Sequence, residues 1–289
     1  MCNGTIMDKL ISFSLPLMLS GILQLMFNAV DIIVIGRFSG SQSLAAVGST
    51  TALINMFTNL FIGISLGANV LSARFYAAGK DKEMSETVHT AITLALISGI
   101  IMVFVGLIFA KPVLELMDTP DDVINLSTLY MRIYFMGMPF FMLYNYGASI
   151  LRAVGDTKRP LFYLIVAGIA NAGLNMCLVI IFHLGVAGVA IGTVISQLIS
   201  SILVLRCLYQ SETSYQLRFS KLKIQKEYLK QIFQVGIPAG IQSTVINFSN
   251  VLLQSSVNSF GSIAMAGYTA ANNIFGFLYV TVNAVTQAC

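Results

Sequence analysis

The 289 residues contain no tryptophan, and only 10% of them are Asp, Glu, Lys or Arg. An ordinary globular surface carries about 25% charge, so a water-facing shell is excluded and the membrane is the expected solvent. The four cysteines, Cys2, Cys177, Cys207 and Cys289, show no paired spacing. With two histidines beside them they form neither a zinc signature nor a disulfide framework. The net charge of +4 is spread over short segments, which leaves no basic face for nucleic acid. Paired carboxylates, a His/Asp/Glu metal set or a nucleophile beside a base are all missing from the apolar stretches, and His183 stands alone at a helix end. Intramembrane enzyme chemistry has nothing to work with. A single Lys9 precedes an apolar run too long for a signal peptide, with no small-residue cleavage site, so the first span is expected to act as its own insertion signal.

What the chain has is apolar length: 56% of it is hydrophobic. Stretches near 12–36, 44–73, 87–110, 123–147, 161–182, 186–208 and 229–258, and one beginning near 264, are each bounded by charged or turn residues. Those that reach about 20 residues are long enough to cross a hydrocarbon layer. Lys9, Arg74, Lys80, Lys82, Arg152, Lys158, Arg159, Arg206, Arg218 and the Lys221–Lys230 run fall on one side. The other side holds Arg37 and Lys111 among acids such as Glu115, Asp118, Asp121 and Asp122. The positive-inside rule then predicts a multi-pass protein of the cell membrane with a cytoplasmic N-terminus. Arg132, inside the fourth span, is expected to snorkel to the outer interface.

The first span, 15–35, holds Pro16 near its start and one carboxylate, Asp31, near its end. Gln24, Asn28 and Asp31 at i, i+4, i+7 share a helix face. Either amide alone reads equally well as glue between helices. The acid does not, because a charge in lipid is far costlier and usually serves ion or proton handling. Asp31 lies ~24 Å along the helix from Leu15, in its outer half. The fifth span enters from the same side and brings Asn171 and Asn175, also i, i+4, to similar height, so a shared outer cavity is geometrically allowed.

Two further patterns concern organisation. Gly155-Asp156-Thr157-Lys158-Arg159-Pro160 reads as a solvated turn that starts the next helix. The segment before Lys230 alternates Lys221, Lys223 and Lys226 with Leu222, Ile224 and Tyr228, as expected of a linker lying on anionic headgroups. A shift of 222 residues lays Pro16 on Pro238, Asn28 on Asn250 and Phe38 on Phe260, while Asp31 falls on Leu253. Six spans separate the copies, so the repeat is parallel and only its first copy holds the acid. The expected division is a six-helix lobe over 1–208, a basic cytoplasmic linker over 209–228 and an incomplete second lobe over 229–289. The last apolar run would leave Asn272, Asn283 and Gln287 facing lipid without helix partners, so a truncated chain is expected.

Several of these residues resemble the multidrug and toxic compound extrusion (MATE) family of the MOP superfamily. The carriers are Leu15-Pro16, Val30-Asp31 with Gly36, Leu44-Ala45-Ala46-Val47-Gly48, Leu151-Arg152 with Gly155-Asp156-Thr157-Lys158 and Pro160, Asn171 with Leu174, and Gly185-Val186-Ala187-Gly188 leading to Thr193. The resemblance implies an all-α polytopic membrane protein of two six-helix lobes around a central cavity. It further implies a full-length monomer that exports cationic or amphipathic small molecules by proton or sodium antiport, without a cofactor. It matches Asp31 to cation coupling and Pro16 to the bend in the first helix, and with the shared height noted above Asn171 and Asn175 are expected to take part in coupling beside the acid. Pro16, Gln24, Asn28, Asn145 and Thr193 are assigned to the substrate cavity. Where many relatives carry a second acid, this chain has Asn175, which cannot titrate, so coupling would rest on Asp31 alone. A lipid-linked precursor flippase of the same superfamily and a non-transporting membrane fragment are the alternatives.

Overall fold

A computed structural model describes residues 6–272 and 275–276; Cys2, Asn283, Gln287 and Cys289 lie outside them. The described residues contain helices and no strand. They form α1 (Ile6–Phe38), α2 (Gly40–Ala77), α3 (Asp81–Leu116), α4 (Asp121–Met136), α5 (Met138–Ala153), α6 (Lys158–Met176), α7 (Gly185–Gln210) and α8 (Lys226–Asn258). Helical residues resume at 262. Five helical segments among the described residues, Phe13–Phe38, Gly40–Ala77, Asp81–Leu116, Lys158–Ile181 and Gly185–Gln210, are long and apolar enough to cross a membrane. At 1.5 Å per residue α2 is ~57 Å long, so it extends beyond the hydrocarbon. On α3, Ile97, Ile100, Ile101, Phe104, Leu107 and Ile108 are exposed on one helical face, an apolar surface of the kind suited to lipid.

The fourth apolar stretch, expected as one helix over 123–147, is two. Pro139 has no amide proton to continue the ladder, and the chain turns at Gly137 before resuming at Met138. This elbow sits on α3, where Gly99 and Gly106 leave room for it. A Cβ on Gly99 would meet Pro139 Cα at 2.5 Å, and one on Gly106 would meet the Phe135 ring at 2.1 Å. Phe135, Met138, Met142, Tyr146 and Ile150 are fully buried from there onward and make the centre of the first lobe. Within the helices, hydroxyls such as Thr50, Thr58 and Thr90 donate to carbonyls one turn back, which satisfies polar groups that lipid would not.

After α6 the helix widens into a π turn at Cys177–Ile181. The chain then reverses through His183 and Gly185, both at φ 53°. His183 and Arg132 are exposed. The segment between α7 and α8 is irregular, with a turn closed by the Gln216 amide on the Thr213 carbonyl at 2.9 Å and a 3-10 turn at Phe219–Lys221. It is fastened to α3: Leu217 is buried, the Arg218 amide donates to His89 Nε2 at 3.1 Å, and the Gln225 amide donates to Thr90 Oγ1 at 3.2 Å. Lys221, Lys223, Lys226 and Lys230 point outward.

α1 and α8 are both 33 residues long and each continues through a proline, Pro16 or Pro238, as the internal repeat leads one to expect. α8 packs along α2, and the two backbones nearly touch. Gly63 and Gly67 on α2 face Gly236 and Gly240 on α8, each pair spaced i, i+4. A Cβ on Gly63 would stand 2.2 Å from Gly240 Cα, one on Gly67 2.2 Å from the Ile232 carbonyl, and one on Gly236 2.5 Å from Ile64 Cα. Small residues at this spacing are how helices approach closely in lipid. Gly63→Val is therefore expected to destabilise the fold by about 2 kcal/mol, read as a lowered midpoint when helical circular dichroism is followed on heating. Gly173→Ala, on a helix position with nothing within 4 Å, serves as its contrast and should be neutral or stabilising by ~0.5 kcal/mol.

Candidate functional site

Asp31 lies in the last quarter of α1 and is 7% exposed, while Asn171 and Asn175 on α6 are 4% and 0% exposed. Spacing alone aligns the two amides on α6; packing of α1 and α7 against that face makes them a connected set. Asn175 Nδ2 donates to Asp31 Oδ1 and, at 3.2 Å, to Asn171 Oδ1. Asn171 Nδ2 donates to Thr193 Oγ1 at 3.4 Å, and Thr193 in turn donates to the Val189 carbonyl at 2.9 Å. One chain of hydrogen bonds thus runs from the acid on α1 through α6 to α7. An ionised carboxylate is only an acceptor, and here it receives its proton donor from an amide that cannot itself titrate.

Two glycines set this geometry. Gly192 lets α7 approach α6: a Cβ there would stand 2.2 Å from Asn175 Oδ1. Gly168 lets α1 approach α6, since a Cβ there would strike the Phe27 ring at 1.7 Å. Asn175 Oδ1 is buried and accepts no hydrogen bond.

A cavity of about 460 Å³ opens beside the chain, lined among others by Asp31, Gln24, Asn28, Asn145, Asn171, Thr193, Tyr134 and Gln197. A second, of about 880 Å³, lies between α1, α2, α5 and α8 and shares Asn28, Asn145 and Arg152 with the first. Its wall carries many amides and hydroxyls, among them Asn55, Asn59 and Asn69 from α2 and Ser243, Asn247, Asn250 and Gln254 from α8. Asn28 and Asn250, related by the repeat, both reach this larger cavity.

Of the residues expected to form the site, Asp31, Asn171, Asn175 and Thr193 are joined directly, and Gln24, Asn28 and Asn145 line the cavities. Pro16 lines neither; it is buried, its carbonyl accepts from Ser20 Oγ at 2.8 Å, and α1 continues through it. Sequence reading missed the amide ladder of α2, for which the i, i+4 spacing of Asn55 and Asn59 was a usable signal. It also missed Gly192, for which there was none, and Arg152, which lines both cavities.

Helical throughout, multi-pass, and hollow around a buried carboxylate, the described residues have the architecture of a membrane transporter. A family model described as MatE matches residues 16–177, and the chain belongs to that family of MATE transporters. Among curated proteins, it is 35% identical over 275 residues to the probable multidrug resistance protein YoeA of Bacillus subtilis (strain 168), covering 92% of this chain and 59% of that protein. It is 29% identical to the probable multidrug resistance protein YpnP of the same organism, covering 94% of this chain and 61% of that one. The chain therefore spans about three fifths of the length of these relatives. Among solved structures, that of the MATE multidrug transporter DinF-BH, determined in complex with a ligand, superposes with a TM-score of 0.91 at 23% identity, covering 98% of this chain and 64% of that one. An inward-facing MATE transporter of the MOP superfamily superposes at 0.84 with 23% identity, covering 92% and 60%. At these identities the structures show the shared fold.

The packing of Gly192 against Asn175 yields a test. Asn175→Ala, which removes both the donor to Asp31 and the oxygen that a Cβ at Gly192 would meet, and Gly192→Ala, which crowds that oxygen, should each cost about 2 kcal/mol of stability. Because both act through one contact, the double variant should cost at least about 1 kcal/mol less than the sum. Additive losses in thermal unfolding would show that Gly192 does not act through Asn175.

Proposed function

We propose that the protein exports cationic or amphipathic small molecules in exchange for protons or sodium, with Asp31 as the coupling group. One observation carries this reading: among the described residues, the only carboxylate lining either cavity is buried and hydrogen-bonded to an amide chain that ends on another helix. The relatives named as probable multidrug resistance proteins, and the ligand complex of the multidrug transporter DinF-BH, support the substrate class.

In the ionised state Asp31 accepts from Asn175 and anchors α1 to α6. Protonation gives it a hydroxyl, so it becomes a donor as well as an acceptor, and the charge-assisted bond from Asn175 weakens to a neutral one. The freed amide can then turn toward Asn171 alone, and α1 loses its strongest tie to α6. Near the other end of α1, Pro16 supplies no amide proton, and that missing ladder bond is where the helix yields as the cavity narrows. Loss of the proton on the cytoplasmic side restores the original pairing. For sodium the same carboxylate would act with the side-chain oxygens of Asn171, Asn175 and Thr193, a hard-oxygen set suited to such an ion.

The test is gradient-driven dye efflux from proteoliposomes, with a proton or a sodium gradient imposed separately. Asp31→Asn is expected to lower coupled export on the order of 100-fold while leaving insertion and the fold intact, since a full charge-assisted interaction is removed. Normal proton- or sodium-driven efflux by that variant refutes the reading. The gradient that drives the unmodified protein identifies the coupling ion.

A further inference from the structure

Arg152 stands in the last turn of α5, beside the turn cluster that starts α6. By sequence it is one more basic residue at a membrane edge. In the structure it is half-buried and lines both cavities. Among the described residues it is the single charged one on the wall of the larger cavity, and it shares the smaller one only with Asp31. Its Nε is buried and has no hydrogen-bond partner. Neither of the ion pairs among the described residues, Lys111 with Glu115 and Arg159 with Asp156, involves it. An arginine held against a helix end for structure alone donates to carbonyls or a carboxylate, and this Nε does neither. Around it the wall is already built. Asn145 and Ser149 share the same face of α5 at i−7 and i−3. Asn69 on α2 is fixed by donating to the Ser149 carbonyl at 2.7 Å, and Ser149 Oγ donates to Ser65 Oγ at 3.5 Å.

We propose that Arg152 is a subsite for an acidic group, so that the cavity accepts amphiphiles bearing a carboxylate as well as cationic ones. The planar guanidinium fork pairs with a carboxylate through two parallel N–H···O bonds. Leu17, Ile62 and Leu66 offer apolar wall for the body of such a molecule. In the smaller cavity a carboxylate bound at Arg152 leaves Asp31 free to face a cationic group on the same molecule. This assignment rests on the export reading for its context, but the subsite is tested by equilibrium binding, which needs no gradient and no coupling.

The experiment compares dansylaminoundecanoic acid with its methyl ester, bound to the protein in phosphatidylcholine nanodiscs and corrected for empty discs, by fluorescence anisotropy. The two probes share their apolar body and differ in the acid. Arg152→Gln is expected to weaken the acid on the order of 10- to 100-fold and the ester by less than about twofold. Arg152→Lys, which keeps the charge without the fork, should fall between. It also serves if the Gln variant does not fold. Equal weakening of both probes, or unchanged affinity for the acid, overturns the proposal. Repeating the measurement with phosphatidylglycerol in the discs identifies the source of the natural acid. Competition seen in the unmodified protein and lost in Arg152→Gln assigns a lipid headgroup, and its absence with the acid preference intact assigns a soluble compound. Should binding keep its preference for the acid while gradients fail to drive efflux, the subsite stands and the export reading falls.

Discussion

A carboxylate away from water must be given a proton, a counter-charge or strong donors, because leaving it bare costs several kcal/mol. Asp31 receives a donor from Asn175, and much of the first lobe is arranged so that this contact can exist. α6 must come close to α1, and it does so at Gly168; α7 must come close to α6, and it does so at Gly192. The elbow between α4 and α5 seats their core against α3 and leaves Tyr134, Phe141 and Tyr144 on the cavity wall. The acid is therefore the end of a hydrogen-bonded chain that crosses three helices rather than an isolated charge.

The fold was largely legible from hydropathy: five of the expected spans are, among the described residues, helical segments long and apolar enough to cross a membrane. The break at Gly137 was not, since Met136, Met138, Phe140 and Phe141 keep the stretch apolar across the turn and only Pro139 marks it. The repeat was legible through Pro16 and Pro238, whose helices match in length. The site was legible in part. Asn171 and Asn175 declare a common face by spacing, and Asp31 declares itself by cost, but no sequence rule states that the two faces meet. Arg152 was hidden by its neighbours: beside Gly155, Asp156, Lys158 and Arg159 it reads as a loop charge, and only the extension of α5 to Ala153 carries it into the bundle.

The second half follows a different logic from the first. Where α1 places an acid, α8 places Leu253, which is exposed, and it lines the larger cavity with Ser243, Asn247, Asn250 and Gln254 instead. Amides and hydroxyls can turn to donate or accept as a guest requires, at a desolvation cost well below that of a charge. The chemical division is between a lobe that holds a buried acid and a wall of neutral polar groups.

The glycine contact between α2 and α8 fixes more than stability. Because Gly63, Gly67, Gly236 and Gly240 bring main chain against main chain, the gauge of the larger chamber is set at positions that have no side chains to vary. Gly63 reaches the chamber wall itself, but the polar side chains of that wall, such as Asn55, Asn59, Ser243 and Asn247, lie elsewhere on the same helices. The frame of the chamber thus rests on glycine contacts, and its polar wall is carried by other positions of the same helices, so the two can vary separately.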